Sequence, residues 1–174
     1  PFSRFPSVHM TPADLRALQA PLKEQYRQDP ATARVTSRAT ATLVPGTVSC
    51  DVTMGGQVIR AGLHPATGGD GTLRCSGDIV LEALVACAGV TLSAVAMAMG
   101  IPIRAGAIHA EGDWDARGTL GVSREVPVGL TAVRLRVELD TDATPEQRQK
   151  LLELTERYCV VAQTLAHGAT VEVC

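Results

Sequence analysis

SGDIVLEALVACAGVTLSAVAMAM, residues 76–99, reads as one long helix whose character decides the fold. Ser76 is a natural N-cap, and Asp78 falls in the first turn, where a carboxylate meets the positive end of the helix dipole. Beyond Glu82 every position up to Met99 is apolar or small. A helix with no polar side belongs at the centre of its domain. Gly100 and Pro102 close it. The most apolar part, residues 83–99, is short for a membrane span and is interrupted by Gly89, Thr91 and Ser93, so a buried helix of a soluble domain is expected.

Upstream of this helix the pattern alternates. Val35, Ala39, Ala41 and Leu43 interleave with Thr36, Arg38, Thr40 and Thr42 as in a half-exposed strand. Pro45-Gly46 marks a turn before a second strand, Val48 to Met54. Gly55-Gly56 turns into a third, Gln57 to Leu63, making an antiparallel meander. Earlier still, Thr11-Pro12-Ala13-Asp14 starts a helix that should falter at Pro21 and resume from Leu22 to Gln28. Downstream, strands are expected around Ile103 to Trp114 and Thr131 to Asp140. A second capped helix follows from Thr144-Pro145, carrying Leu151, Leu152, Leu154, Tyr158 and Val161 to about His167, with a last strand at Ala169 to Val173. The core order is βββ-α-ββ-α-β, an α+β fold with an antiparallel sheet and two central helices. Residues 1–30 form an N-terminal helical extension, and 31–174 form the main domain.

Composition excludes several functions. A net charge of −2, with no basic run, gives no footprint for nucleic acid. Only 3% of residues are aromatic, so the core must be built from Ala, Val and Leu. The glycine-rich stretch HPATGGDGTLR, residues 64–74, lacks phosphate-loop spacing. The opening PFSRFPSVHM has no apolar secretory core, so a cytoplasmic, reducing setting without membrane attachment is expected. His9, His64, His109 and His167 show no ligand spacing with one another or with the cysteines, and no metal or cofactor is implied. Trp114 and Tyr158 read as packing residues. Of five cysteines (50, 75, 87, 159 and 174), none forms a C-x-x-C pair. Cys50 and Cys174 read as inert. Cys75 stands at the head of the long helix, where a helix N-terminus stabilises a thiolate.

Cys87 lies in LEALVACAGVTL and Cys159 in ERYCVVAQTL, one on each central helix. Crossing helices bring such residues within disulfide reach. SGDIVLEALVACAGVTL, ERYCVVAQTL and the element order between them resemble the OsmC/Ohr family of osmotically induced and organic hydroperoxide resistance proteins. The resemblance covers roughly residues 31–174. It implies a thiol peroxidase in which Cys87 is oxidised by an organic hydroperoxide and Cys159 resolves it as a disulfide, with a thiol or dithiol reductant restoring both. It also implies an intertwined homodimer with sites at the interface. The chain departs from the family at three points. Gly77 stands ten residues before Cys87, where family peroxidases carry a glutamate; Val160 replaces the proline after the second cysteine; and no arginine follows the first strand. Asp78, Glu82, Arg38 and Cys75 are the candidate auxiliary residues, with Arg60 and Arg74 as further substitutes for the arginine. The alternative readings are a non-peroxidase member binding a hydrophobic small molecule above Cys87, and a redox sensor using the same pair.

Overall fold

The computed structural model describes residues 10–173, so His9 and Cys174 lie outside the described residues. Helix α1 (Pro12–Gln28) opens with a capping box: the Thr11 hydroxyl accepts from the Asp14 amide, and the Asp14 carboxylate accepts from the Thr11 amide. The break expected at Pro21 does not occur. A proline removes one amide bond, here to Ala17, and the Ala, Leu, Gln and Glu residues around it are strong enough helix formers to carry the helix through.

Strands β1 (Ala41–Leu43), β2 (Ser49–Met54) and β3 (Gln57–Gly62) form the expected antiparallel meander. Gly55 and Gly56 turn β2 into β3 with φ of +57° and +83°, the left-handed pair that a two-residue hairpin demands. Strand β1 is shorter than the alternation suggested. Ala41 pairs with Val52 and β2 ends at Met54, so residues 35–38 run past the hairpin with nothing to pair against. A two-residue strand, β4 (Arg74–Cys75), was not anticipated; it joins β3 in parallel, with Gly62 opposite Cys75.

That pairing moves the start of the long helix α2 (Ser76–Met99). Cys75, held extended by β3, is the N-cap in place of Ser76, and its Sγ accepts from the Gly77 amide at 3.4 Å. At the other end Gly100 adopts φ +68°, and the amides of Gly100 and Ile101 return to the Met97 and Ala96 carbonyls. Helix α2 is long and apolar enough to cross a membrane. Here it lies against β5 (Ala105–Trp114), α4 (Pro145–Tyr158) and α5 (Val160–His167). Only one stripe is buried, Leu84, Ala88, Leu92 and Ala96, while Val90 is 74% exposed. The helix is central to the fold, yet within one chain it is covered on one face.

Strand β5 pairs antiparallel with β6 (Leu130–Asp140), a second sheet separate from the first. Their connection holds an unanticipated short helix, α3 (Ala116–Thr119). Two clusters make the core: Leu92, Ala96, Ile101 and Leu151, and beside them Leu84, Ala88 and Cys159. Each buried leucine contributes about 1.5–3 kcal/mol. The alanines between the leucines let α4 and α5 approach α2 closely.

At the C-terminal end one expectation is refined and one fails. The second helix is not continuous: it stops at Tyr158, Cys159 turns extended (φ −75°, ψ 108°), and α5 begins at Val160. The final strand is also absent among the described residues. No strand among the described residues pairs with residues 169–173, and Val171 and Val173 are 83% and 96% exposed.

Candidate active site

The break at Cys159 sets the geometry of the site. A cysteine between two helices ends one and starts the other, so the first amides of α5 have no intrahelical acceptor. The Cys159 side chain makes no cap bond to them. Cys87 of α2 packs at this point against the cluster that contains Cys159. The amides of Val161 and Val160, the Cys159 thiol and the Thr91 hydroxyl one turn further along α2 are the groups near its sulfur that favour the ionised form.

The two thiols are free and in contact, and their surroundings drive them apart. Burial pushes the Cys87 thiol up, but the donors of Val161, Cys159, Val160 and Thr91 outweigh it, and the net shift is downward. Burial pushes the Cys159 thiol up as well. The Ala162 amide opposes this, while donation to the Cys87 sulfur and the nearness of its charge raise it further, for a net upward shift. Cys87 is half-buried, whereas Cys159 is 1% exposed. The pair packs with Leu84, Ala88, Ile108, Ala110, Val133 and Val161, and no Asp, Glu, Lys, Arg or His is among the causes of either shift. The more accessible thiol is therefore the easier of the two to ionise, and its buried neighbour the harder.

The auxiliary candidates do not gather around the pair. Glu82 is paired with Arg74 at the head of α2, and Asp78 is exposed in the first turn. Arg38 is exposed ahead of β1 and makes no ion pair among the described residues; Arg60 is held by Asp51 at 2.7 Å. Cys75 caps α2, and His64 caps a 3-10 turn while meeting Trp114 edge-on at 5.2 Å. No three His, Cys, Asp or Glu side chains gather as metal ligands among the described residues. Sequence reasoning missed Thr91 and the α5 amides. Thr91 carried a signal in its spacing, four residues after Cys87 on the same helix face.

Behind Cys159 a cleft of about 530 Å³ opens between β6 and the α4–α5 pair, lined by Leu130, Val133, Leu135, Leu152 and Leu165, with Glu156 as its one charged residue.

Residues 69–173 match the model of a family described as OsmC-like protein. No curated protein sequence matches the chain. Among solved structures, an OsmC-like protein from Mycoplasma pneumoniae superposes with a TM-score of 0.66 at 17% identity, over 77% of this chain and 89% of that one. An organic hydroperoxide resistance protein OsmC from Legionella pneumophila gives 0.61 at 14% identity, over 77% and 93%. The organic hydroperoxide resistance protein OhrB of Bacillus subtilis gives 0.53 at 18% identity, also over 77% and 93%. At these identities the likeness is one of fold, and it bears out the expected α+β architecture.

Proposed function

The chain belongs to the OsmC-like protein family, and from that premise we propose that it is a thiol-dependent peroxidase acting on organic hydroperoxides. The observation that carries the reading is the opposed behaviour of two touching thiols, Cys87 shifted down and Cys159 shifted up. The Cys87 thiolate attacks the distal peroxide oxygen; the O–O bond breaks, the sulfur becomes a sulfenic acid, and the alkoxide leaves as the alcohol after taking a proton from solvent. The Cys159 sulfur, its proton lost, displaces hydroxide from the sulfenic sulfur, giving water and the Cys87–Cys159 disulfide. An external dithiol then reduces the disulfide by exchange and is itself oxidised. The apolar shell favours a peroxide with a hydrocarbon body over hydrogen peroxide. The glutamate and arginine expected of the family peroxidases are missing, and the α5 amides supply the thiolate stabilisation in the arginine's stead. A cycle that returns both cysteines to thiols suits a reducing cytoplasm.

The working unit is an intertwined homodimer. The chain exposes 13212 Å², against about 8,000 Å² for a compact monomer of its 18.2 kDa mass. Covering part of this excess against a second copy would bury the area of an obligate interface, about 2,000–5,000 Å² or more in total. Part of it is apolar surface of the meander, where Leu43 and Val58 are 80% and 66% exposed, and of α2, where Val90 is 74% exposed.

The cleft behind Cys159 favours a second reading, a carrier of a hydrophobic small molecule. The two readings separate in one assay: consumption of cumene hydroperoxide and hydrogen peroxide by the reduced protein with a dithiol reductant. The peroxidase reading expects turnover of cumene hydroperoxide, slower turnover of hydrogen peroxide, and loss of both in Cys87→Ser. No turnover, with the thiols still reduced afterwards, rejects it in favour of the carrier.

A further inference from the structure

We infer that α1 lays its apolar stripe into the cleft behind Cys159 of a second copy of the chain. Helix α1 buries none of its residues and carries Pro21 in its interior. A helix of 17 residues is marginal in water by itself, and the packing of an amphipathic face supplies most of its stability in a protein. An interior proline increases that need. The face is there: Leu15, Leu18, Leu22 and Tyr26 follow one another at spacings of three and four and form one stripe. Leu15 is half-buried, but Leu18 is 60% and Leu22 45% exposed. The cleft has the complementary form. It follows β6 from Leu130 to Val137, about 23 Å at 3.3 Å per residue, and the stripe measures about 16 Å at 1.5 Å per residue. Leu135, Leu152 and Leu165 line it, so leucine meets leucine. Charge agrees as well. Arg16, Lys23 and Arg27 run along one flank of the stripe, seven and four residues apart. Arg16 and Lys23 make no ion pair among the described residues, and neither does Glu156, the one charged residue of the cleft. Residues 34–40, which join α1 to the meander outside any helix or strand, are exposed throughout and extend to about 23 Å, enough to carry α1 onto a neighbour. Each copy offers both helix and cleft, so a two-fold pair satisfies both at once.

The inference rests on the homodimer reading and is independent of peroxide turnover. It is tested on the full chain with the photo-cross-linker p-benzoylphenylalanine at position 18, an exposed site where a bulky apolar group leaves the chain's own packing intact. Light scattering gives the oligomeric state. After irradiation, a denaturing gel separates links between copies, which double the chain mass, from links within one chain, and mass spectrometry maps the attached peptide. The expected product is a covalent dimer joined from position 18 to β6, α4 or α5. Leu22→Glu in the same chain should cut its yield about tenfold, the effect of losing one buried leucine. Glu156→Lys should lower the yield about threefold, and Lys23→Glu added to it should restore the loss. A dimer whose links stay within one chain, or reach the partner away from the cleft, overturns the inference and leaves the homodimer standing. So does a covalent dimer whose yield is indifferent to Leu22→Glu. A chain that light scattering shows to be monomeric removes both.

Discussion

Two helices in this chain begin at a cysteine, and they use it in opposite ways. At α2 the sulfur of Cys75 turns in and accepts from the Gly77 amide of its own helix. At α5 the side chain of Cys159 makes no cap bond, and the amides of Val160 and Val161 lower the thiol of the neighbouring Cys87. The first arrangement is a structural cap. The second is an anion site with a thiol already in it. The residue type and its place at the helix start are the same, so the presence of a second sulfur in the path of the free amides makes the difference. Chemistry follows the amides here, not the cysteine that begins the helix.

The largest expected effect breaks the α5 side of that contrast outright. Cys87→Ser should reduce hydroperoxide turnover by about a thousandfold or more, as removal of a nucleophile does. Steady-state assays with cumene hydroperoxide read this directly. Next comes Cys159→Ser, which should leave the first oxidation intact and stop the disulfide: a sulfenic acid at Cys87 then becomes trappable by dimedone, and turnover with dithiol falls. Third is Val160→Pro. Proline suits the first helical position but has no amide to donate. Thermal unfolding should therefore hold or improve while the Cys87 alkylation midpoint rises and its neutral-pH rate falls about fivefold. The smallest effect belongs to the other helix. Cys75→Ser should leave Cys87 alkylation unchanged and shift stability by less than about 0.5 kcal/mol, since serine caps as well.

Protonation gives the same contrast a sign. A thiol shifted down in the folded state stabilises the fold above its unfolded pKa, and that contribution is lost as pH falls through the folded value. Reduced wild type should thus gain stability over Cys87→Ala as pH rises from the lowered Cys87 midpoint toward the ordinary thiol value of about 8.5. Cys159, shifted up, acts in the opposite sense: deprotonating it above the unfolded value costs stability. Denaturant titrations across this range of the wild type and the single Cys87→Ala and Cys159→Ala variants separate the two contributions.

Much of this was legible in the sequence. The span of α2, the meander with its Gly55-Gly56 turn, and the Thr11 and Thr144 caps are local features, and local chemistry sets them. The thiol pair was legible through the resemblance around Cys87 and Cys159. The break at Cys159 was not, because Val160 stands where a proline would announce it and the spacing from Leu151 to Val161 continues a helical pattern across the gap. The expected strand at residues 169–173 had the right alternation but no paired strand among the described residues. Pattern reports what a segment is able to do, and a strand needs a second strand.

The account rests on Cys87 and Cys159 acting as one redox unit, and the most direct test is disulfide mapping by mass spectrometry after one equivalent of cumene hydroperoxide is added to the fully reduced protein. The expected product is a Cys87–Cys159 disulfide with Cys50 and Cys75 still alkylatable. Cys87 and Cys159 both remaining free, or a disulfide formed through Cys75, would contradict it.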